Sequence, residues 1–301
     1  MIFLKERRIQ NRLIDVNLIQ RAKSMDIIDI NKYYEFKPWY ERIIADFGFD
    51  INLDREARDL LLNFFKKRKR DLHITDTLQE FSTRIQSSSN ILIYGCGPSL
   101  ERTVEKMRNN IGNSYIRKQV HLAADGAAVL LRENHIPVLG VFTDLDGITS
   151  KEFHYADFVI VHGHGDNLNK LNEFQGDIIQ KDNVIGTTQV KPKGPILNPG
   201  GFTDGDRIFY FLREVLLPTQ KLYLIGMDFN GKIGKYSKQN YTENQEASLV
   251  KRKKLQYATK LLDALFDKIN NEIYFVDSTL GAETKHGEYI AFKEFMKKLT
   301  H

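Results

Sequence analysis

Seven short apolar runs, each followed by a stretch with helical spacing, constrain the fold of this chain more than any other feature. Nearly every position in these runs is apolar, which is typical of strands covered on both faces. Parallel strands need long crossover connections, and the helical stretches supply them. The sequence therefore predicts an α/β fold, a mainly parallel sheet with helices on both faces. The runs are ILIYG (91–95), HLAAD (121–125), VLGVFTD (138–144), FVIVHGH (158–164), VIGTT (184–188), LYLIGMD (222–228) and IYFVD (273–277).

The first ninety or so residues have a different pattern. Apolar residues at three-to-four spacing with charges between them predict helices, and Gly48 is the one glycine of the region. The polar run SSSN at 87–90 favours a turn and marks a boundary. We therefore expect a small helical N-terminal domain over 1–88 and an α/β catalytic domain over 89–301. The predicted helical segments are Leu13–Arg21, Trp39–Phe47 and Arg55–Phe65.

Composition is that of a folded protein and gives no sign of a membrane or export signal. Hydrophobic residues make up 42% of the chain and charged residues 28%, as in ordinary globular proteins. The opening MIFLKERR has too short an apolar run for a signal peptide, and no stretch of about 18 apolar residues occurs. A single cysteine, Cys96, fits a reducing compartment. We expect a cytoplasmic protein with no membrane partner.

The charge balance favours small anionic ligands over nucleic acid. A net charge of +5 is weak beside that of nucleic-acid binders, whose basic residues gather on one face. The dense basic clusters, 66–70 and 251–254, lie in or beside helical patterns, so solvated helix faces are the simpler interpretation. We expect no nucleic-acid partner and keep a non-catalytic nucleic-acid binder as an alternative. A homodimer is compatible with the sequence, which does not choose an oligomeric state.

Carboxylates follow several of the predicted strands. Asp144 and Asp146 end the third run two residues apart, so in extended backbone both side chains leave the same face. Asp125 closes the second run, and Asp204 lies in the loop GGFTDGDR (200–207). The carboxyl ends of parallel strands meet at one rim, where such carboxylates would repel one another unless a cation bridged them. The set therefore predicts a divalent metal site, and Mg²⁺ prefers oxygen ligands of this kind.

Most of these aspartates, taken singly, have a simpler structural interpretation. Asp146 followed by glycine is ordinary turn chemistry, and Asp125 precedes a helix that it could cap. Thr203 and Asp206 have the spacing of a capping box, which leaves Asp204 without a capping role. The metal interpretation therefore depends on the aspartates acting together.

The loop GCGPS (95–99) joins a predicted strand to a helix. Two glycines would let backbone amides and a helix N-terminus approach a phosphate. Leu100 stands where the dinucleotide fingerprint has its third glycine, which disfavours an NAD enzyme, and the chain has no Walker P-loop. A plain turn with Ser99 as N-cap is the structural alternative.

Two further loops carry polar residues at strand ends. HGHGDN (162–167) resembles the opening of the H-x-H-x-D-H cluster of metallo-hydrolases, but Asn167 replaces the last histidine, which disfavours a zinc hydrolase. Contact of His164 and Asp166 with phosphate or substrate is the better functional interpretation. The polar stretch 231–249 predicts a long mobile loop that closes over a triphosphate, with a disordered surface loop as the alternative.

The polar loops form an ordered set of motifs. They are GCGPS (95–99), ADGA (124–127), FTDLDG (142–147), HGHGDN (162–167), GGFTDGDR (200–207) and IGMDF (225–229) with GKY (234–236). This set resembles the archaeal-type 6-hydroxymethyl-7,8-dihydropterin diphosphokinase family, often called MptE-like, and the stretch 39–54 resembles that family's N-terminal region. More distantly, three of the motifs resemble those of the thiamin pyrophosphokinase catalytic domain, whose fold the likeness implies.

The resemblance implies an activity. Members transfer the β,γ-diphosphate of ATP to the hydroxymethyl oxygen of a reduced pterin in a Mg²⁺-dependent reaction that releases AMP. The implied setting is tetrahydromethanopterin or folate-type cofactor synthesis. Flagellin-modifying glycosyltransferase-like proteins share the core domain and use nucleotide-activated sugars, so such a transferase is the alternative. Those proteins are usually much longer, which favours the kinase.

The resemblance also implies roles for particular residues. Asp144 and Asp146 would bind Mg²⁺, with Asp204 completing or supporting the site. Asp125, His164 or Asp166 would take part in catalysis, or would bind substrate or metal-bound water. The sequence does not choose among these three residues. The residues expected at the nucleotide are Gly95, Cys96, Gly97, Pro98, Ser99, Thr203, Asp228 and Lys235.

Overall fold

A computed structural model describes residues 30–68, 73–229, 231–278 and 287–300. The predicted helix at 13–21 lies outside these residues, and so do Lys69 and Arg70 of the first basic cluster. Within the described residues, no helix is long and apolar enough to cross a membrane.

An eight-stranded sheet forms the centre of the molecule, with the strand order β10-β9-β6-β1-β2-β3-β4-β5. Every pair of neighbours in it is parallel. Each of the seven predicted runs overlaps one of these strands, so the predicted α/β fold is confirmed. The strands are β1 (Asn90–Tyr94), β2 (Val120–Ala124), β3 (Gly140–Thr143), β4 (Phe158–Gly163), β5 (Val184–Thr188), β6 (Lys221–Ile225), β9 (Glu272–Val276) and β10 (Glu288–Ile290), with β7 (Lys232–Ile233) and β8 (Gln245–Glu246) paired separately.

Helices cover both faces of this sheet. Alternate residues of the strands point to opposite sides, so the sheet has two separate apolar cores, one on each face. The described helices are α1 (Tyr33–Phe47), α2 (Ile51–Lys66), α3 (Ile74–Gln86), α4 (Leu100–Asn110), α5 (Asn113–Ile116), α6 (Ala127–Glu133), α7 (Ser150–Tyr155), α8 (Leu168–Glu173), α9 (Gln175–Gln180), α10 (Asp204–Leu212), α11 (Leu249–Phe266) and α12 (Phe292–Thr300).

The three helices before β1 pack directly on the sheet. Buried side chains of α2 belong to the core on one face, and those of α1 and α3 belong to the core on the other. The Phe81 ring of α3, for example, meets the ring of Phe158 on β4 edge-on at 5.2 Å between centroids. These helices share both cores with the strands, and the division at 88/89 stays a prediction.

The strand order places a switch point between β1 and β6. The chain steps from β1 outward to β5, and then returns to place β6 on the other side of β1. Ligands of parallel sheets bind outside the carboxyl ends of the strands at such a point. The loops after β1, β2, β3 and β6, which hold most of the sequence motifs, therefore surround the expected ligand crevice.

Candidate active site

Three carboxylates meet beside the switch point. Asp125 follows β2, while Asp144 and Asp146 follow β3. One ligand oxygen from each lies within 4.8 Å of those of the other two. Asp125 and the intervening Leu145 have left-handed backbone, with φ of +46° and +76°. Such strain in residues with side chains persists only where the surrounding structure enforces it, and it is typical of functional sites.

The FTDLDG motif holds Asp125 in place. Thr143 Oγ1 donates to Asp125 Oδ1 at 2.6 Å, and the Gly147 amide donates to the same oxygen at 3.3 Å. A Cβ on Gly147 would lie 2.0 Å from Asp125 Oδ2, so only glycine fits there. The interpretation of Asp125 as a helix cap is wrong, because Gly126 occupies the N-cap of α6 and the Asp125 side chain turns to the β3 loop instead.

The HGHGDN motif supports Asp144. Asn167 Nδ2 donates to the carbonyl oxygens of Asp144 and His162, at 2.8 and 2.7 Å, and so ties the β3 and β4 loops together. His164 Nε2 lies 3.4 Å from Asp144 Oδ2. His164 Nδ1 accepts from the Asp166 amide at 3.3 Å, so in the neutral ring Nε2 carries the hydrogen and donates to Asp144. Asn167 therefore has a structural role at the position of the missing histidine.

The acidic cluster carries more negative charge than its protein partners neutralise. Burial and then the charge of Asp144 raise the pKa of Asp125, Asp146 and Asp204 above the ordinary range. Burial opposes ionisation of Asp144 as well, but the hydrogen bond and charge of His164 lower its pKa below the ordinary range. Hard oxygen ligands crowded in this way suit a divalent cation such as Mg²⁺.

Asp204 lies beside this cluster but outside the group of three. It is the first residue of α10, and its Oδ1 is 3.3 Å from Arg207 Nη1. The predicted capping box of this helix is confirmed, since the Thr203 amide donates to Asp206 Oδ2 at 3.0 Å. As the sequence indicated, Asp204 has no part in that cap.

The GCGPS loop turns its polar groups inward. The amides of Gly95 and Gly97 donate to the carbonyls of Ile225 and Gly226, at 2.8 and 2.7 Å. The Ser99 amide donates to Asp228 Oδ2 at 2.8 Å. These three amides are therefore engaged within the protein, and the backbone geometry gives a phosphate little to bind.

The predicted nucleotide residues do not all reach the same cavity. Gly95, Cys96, Gly97, Thr203 and Asp228 line a cavity of about 510 Å³ at the rim, but Pro98, Ser99 and Lys235 do not. Lys235 Nζ instead pairs with Glu101 Oε1 at 2.5 Å. Ser99 stands at the N-cap of α4, yet its side chain makes no capping bond. The nucleotide roles of all eight residues stay predictions.

The segment from 231 to 248 forms a roof over this cavity. β7 and β8 pair antiparallel within it, and the Gly234 amide donates to the Cys96 carbonyl at 2.9 Å. The Tyr236 carbonyl approaches Gly126 so closely that a Cβ there would lie 1.9 Å from its oxygen. Lys238 Nζ is 3.7 Å from Asp146 Oδ2. The roof therefore lies where a loop closing over a ligand would be, while its mobility stays a prediction.

Two lysines of α11 face the site, a feature that the sequence analysis missed. Lys251 and Lys254 line the cavity beside the aspartates, whereas Arg252 and Lys253 are not part of the lining and pair with Glu246 and Asp46. The basic cluster at 251–254 is thus divided between two faces of one helix. Spacing of three residues places two side chains on the same helical face, and that was the available signal.

A second, smaller cavity of about 90 Å³ adjoins the first. It lies between α2 and the loops that follow β3, β4 and β5, and His164 and Asp166 are part of its wall. The wall between the two cavities contains residues that line both: Asp144, Thr203, Asp204, Lys251 and Lys254. The predicted metal residues Asp144 and Asp204 are thus exposed to two compartments at once.

Comparisons with known proteins show which family this chain belongs to. The family model described as 6-hydroxymethylpterin diphosphokinase MptE-like matches residues 61–234. Proteins named 6-hydroxymethyl-7,8-dihydropterin pyrophosphokinase are similar to this chain. The one from Pyrococcus furiosus is 35% identical over 78% of this chain and 94% of its own length. The one from Methanothermobacter thermautotrophicus is also 35% identical, over 75% of this chain and 92% of its own.

Another relative of the same name, from Methanocaldococcus jannaschii, is 33% identical over 79% of this chain and 97% of its own length. Among solved structures, the MAf glycosyltransferase of Magnetospirillum magneticum AMB-1 has a TM-score of 0.44 and 12% identity, covering 75% of this chain and 41% of that one. Family model and relatives alike span most of the α/β region and its motifs. The chain belongs to the 6-hydroxymethylpterin diphosphokinase MptE-like family.

Proposed function

We propose that this protein transfers diphosphate from ATP to 6-hydroxymethyl-7,8-dihydropterin in a Mg²⁺-dependent reaction that yields AMP and the pterin diphosphate. One observation carries the proposal: two cavities share a wall that contains Asp144 and Asp204. Two substrates must meet for such a transfer, with charge neutralised between them. The names of the relatives supply the identity of the acceptor. Synthesis of a tetrahydromethanopterin or folate-type cofactor is the proposed setting.

Asp125, Asp144 and Asp146 would hold the Mg²⁺ ion. Their oxygens are close enough for common ligation, and carboxylates with water and phosphate oxygens are the ligands that this ion prefers. When bound, the ion neutralises charge on the β- and γ-phosphates. Thr143 and Gly147 fix the orientation of Asp125, so the ligand set is largely formed before substrate arrives.

The larger cavity is assigned to ATP. Its volume of about 510 Å³ falls in the range of nucleotide-sized sites. One part of its wall is apolar, with Phe229 and Leu255, and suits a flat base. Near the aspartates, Lys238, Lys251 and Lys254 supply positive charge for the phosphates. The cations come from the roof and α11, and the first three residues of the GCGPS loop line the same cavity.

The roles of the remaining polar residues follow from the shared wall. His164 donates to Asp144 and so positions that carboxylate, which leaves it unsuited as a base in the neutral ring. Asp125 lines the larger cavity and Asp166 the smaller. Asp204 lines both and stands outside the three-carboxylate group, so we assign it to hold the hydroxyl hydrogen of the acceptor.

The activity is tested by mixing the protein with ATP, Mg²⁺ and 6-hydroxymethyl-7,8-dihydropterin. AMP and pterin diphosphate should form in equal amounts, and chelation of the metal should stop both. AMP release that is absent, or that does not require the pterin, would refute the proposal. A parallel thermal-shift series with ATP, CMP-sugars and UDP-sugars tests the glycosyltransferase alternative, because a ligand at 100 times its Kd stabilises the folded state by about 2.7 kcal/mol.

A further inference from the structure

We propose that the smaller cavity binds the pterin ring, and that Asp54 of α2 recognises the ring edge that carries the 2-amino group and N3–H. This inference rests on the proposed function and adds the part of the site that selects the acceptor. Asp54 lies in the N-terminal helices, so the inference also gives those helices a role in the reaction.

Asp54 is a buried carboxylate with neutral partners. The residue is only 2% exposed and lines the smaller cavity. Oδ1 accepts from the Gly165 amide at 2.8 Å, and Oδ2 accepts from Gln189 Nε2 at 2.7 Å. Two carboxylate oxygens offer about four acceptor positions. Each oxygen of Asp54 therefore retains capacity for one more donor, as a ligand with two adjacent N–H groups would supply.

The same cavity also contains a hydrogen-bond donor, the side chain of Arg207. Arg207 is 6% exposed and lines the cavity, and its buried Nε has no hydrogen-bond partner among the described residues. A buried donor without a partner destabilises the folded state, and an acceptor on a ligand would relieve that cost. A 2-amino-4-oxopyrimidine ring carries both features, two donors on one edge and a carbonyl oxygen beside them.

Aromatic side chains line the cavity as well. The rings of Phe49 and Phe202 lie 6.4 Å apart between centroids, and Lys254 Nζ is 5.6 and 5.9 Å from the two centroids. Flat heteroaromatic ligands gain contact area from such rings. The wall thus combines apolar faces with a few polar groups.

The cavity also connects Asp54 to the metal residues. The amide that binds Asp54 belongs to Gly165, and the preceding residue, His164, donates to Asp144. In 6-hydroxymethyl-7,8-dihydropterin the hydroxymethyl group lies on the ring opposite the 2-amino edge. With that edge at Asp54, the hydroxymethyl group points toward Asp144 and Asp204, where the transfer is proposed to occur.

Two glycines of the HGHGDN motif allow α2 to reach this position. A Cβ on Gly165 would lie 2.7 Å from Leu53 Cβ, and one on Gly163 would lie 2.8 Å from Leu61 Cδ1. Larger residues would push α2, and Asp54 with it, away from the β4 loop. The glycine spacing of this motif is therefore explained by the close approach of the helix.

The inference is tested first by direct binding of 6-hydroxymethyl-7,8-dihydropterin without ATP, in an equilibrium dialysis or calorimetric titration. We expect Asp54→Asn to weaken binding roughly 10- to 100-fold, because an amide offers one acceptor and presents a donor to the donors of the ring. Asp59→Asn, at a partly exposed position of the same helix that does not line the cavity, is the matched control and should bind as the unmodified protein does. ATP binding, measured in the same way, should be unchanged in both variants and shows that each is folded.

A second measurement uses the unmodified protein and does not depend on folding of a variant. The 2-oxo analogue of the substrate lacks the 2-amino donor, and we expect it to bind at least about 10-fold more weakly than the 2-amino compound. Guanosine shares the 2-amino-4-oxo edge, and we expect it to bind more weakly than the pterin because it carries no hydroxymethyl group at the corresponding place.

Four outcomes overturn the inference. Equal pterin binding by Asp54→Asn and Asp59→Asn would overturn it, and so would equal binding of the 2-amino and 2-oxo compounds. In either case, AMP formation by the unmodified protein would still support the proposed function. Tighter binding of guanosine than of the pterin would assign the cavity to a nucleoside instead. Absence of both pterin binding and AMP formation would overturn the inference together with the proposed function.

Discussion

Similar residues follow two pairs of strands, β1 with β6 and β2 with β3, but these residues make different interactions in the two places. At β1 and β6 the polar groups have partners within the protein: the Gly95 and Gly97 amides donate to backbone carbonyls, and Asp228 accepts from the Ser99 amide and from Ser278 Oγ at 2.8 and 2.7 Å. At β2 and β3, Asp125, Asp144 and Asp146 crowd together, and the charge of Asp144 raises the pKa of its two neighbours in spite of donors such as Thr143 Oγ1. A polar strand end is therefore a candidate for function when its charge exceeds what its neighbours satisfy.

The largest effect expected from this comparison is in Asp144→Asn. Loss of a proposed metal ligand at the shared wall should lower kcat by roughly 10³-fold or more. The thermal midpoint of the metal-free variant should stay near that of the unmodified protein, because the change removes repulsion among crowded carboxylates. Steady-state AMP formation and a thermal melt measure the two effects. A variant that unfolds instead would show that Asp144 is a structural turn residue.

Gly147→Ala should give the next largest loss of activity. The added Cβ would lie 2.0 Å from Asp125 Oδ2, so the carboxylate must move from its place in the cluster. We expect Mg²⁺ affinity and kcat to fall about 10- to 100-fold, as for other residues that orient metal ligands. Gly176→Ala, at a position where a Cβ meets nothing within 4 Å, is the control. Equal behaviour of the two variants would contradict the account of the β3 loop.

Asp228→Ala tests the other side of the comparison. It removes the acceptor for the Ser99 amide and Ser278 Oγ, and should lower the free energy of unfolding by about 1–3 kcal/mol. The KM for ATP should change much less than in cavity lysine variants. Denaturant melts and kinetics separate these effects. A large rise in KM with full stability would return Asp228 to the nucleotide site that the sequence predicts.

The pH dependence of metal binding should also differ from that of an ordinary carboxylate site. Burial and the charge of Asp144 raise the pKa of Asp125 and Asp146, so Mg²⁺ must displace protons from them. Affinity should therefore weaken as the pH falls, beginning above the ordinary carboxyl range near 4. Titration calorimetry at several pH values measures this. An affinity that is constant down to that range would contradict the crowding.

The same pKa shifts decide whether the free energy of unfolding rises or falls with pH. The folded metal-free protein binds more protons than the unfolded chain between the raised and the ordinary pKa values, so these groups favour folding more as the pH falls through that window. The lowered pKa of Asp144 acts in the opposite direction at more acidic pH. Saturating Mg²⁺ should reverse the trend at the raised groups.

The smallest effects separate two lysines. Lys235 forms an exposed pair with Glu101, so Lys235→Ala should change stability by less than about 1 kcal/mol and leave the KM for ATP unaltered. Lys251→Ala should raise that KM roughly 10-fold, because Lys251 lines both cavities. The KM for ATP of the two variants, measured side by side, tests both expectations. The reverse pattern would restore Lys235 to the nucleotide site.

The sequence was sufficient for the sheet and for the acidic rim, because both depend on local patterns. Seven apolar runs identified seven strands, while β10 escaped notice because it has only three residues, at the edge. The acidic rim could be predicted because the carboxyl ends of parallel strands meet at one edge of the sheet. The sequence did not reveal that Asp228 and Ser99 satisfy each other, since those residues are 129 positions apart and meet only through the pairing of β1 with β6.

Asp54, Lys251 and Lys254 were missed for a related reason. Each lies on an amphipathic helix, where an isolated charge is ordinary, and each gains its place at the site only when the helix packs over the rim. The N-terminal helices have the sequence pattern of a separate unit, so every predicted site residue lies after residue 89. Long-range packing, which single-sequence patterns do not record, decides which helical charges face a cavity.

The most direct test of the central claim is a titration of Mn²⁺, as a stand-in for Mg²⁺, followed by electron paramagnetic resonance. One ion should bind the unmodified protein and Asp228→Asn alike, and binding should be lost in Asp144→Asn. Ion binding that persists unchanged in Asp144→Asn would contradict the claim that the carboxylates after β2 and β3 hold a metal at the wall between two substrates.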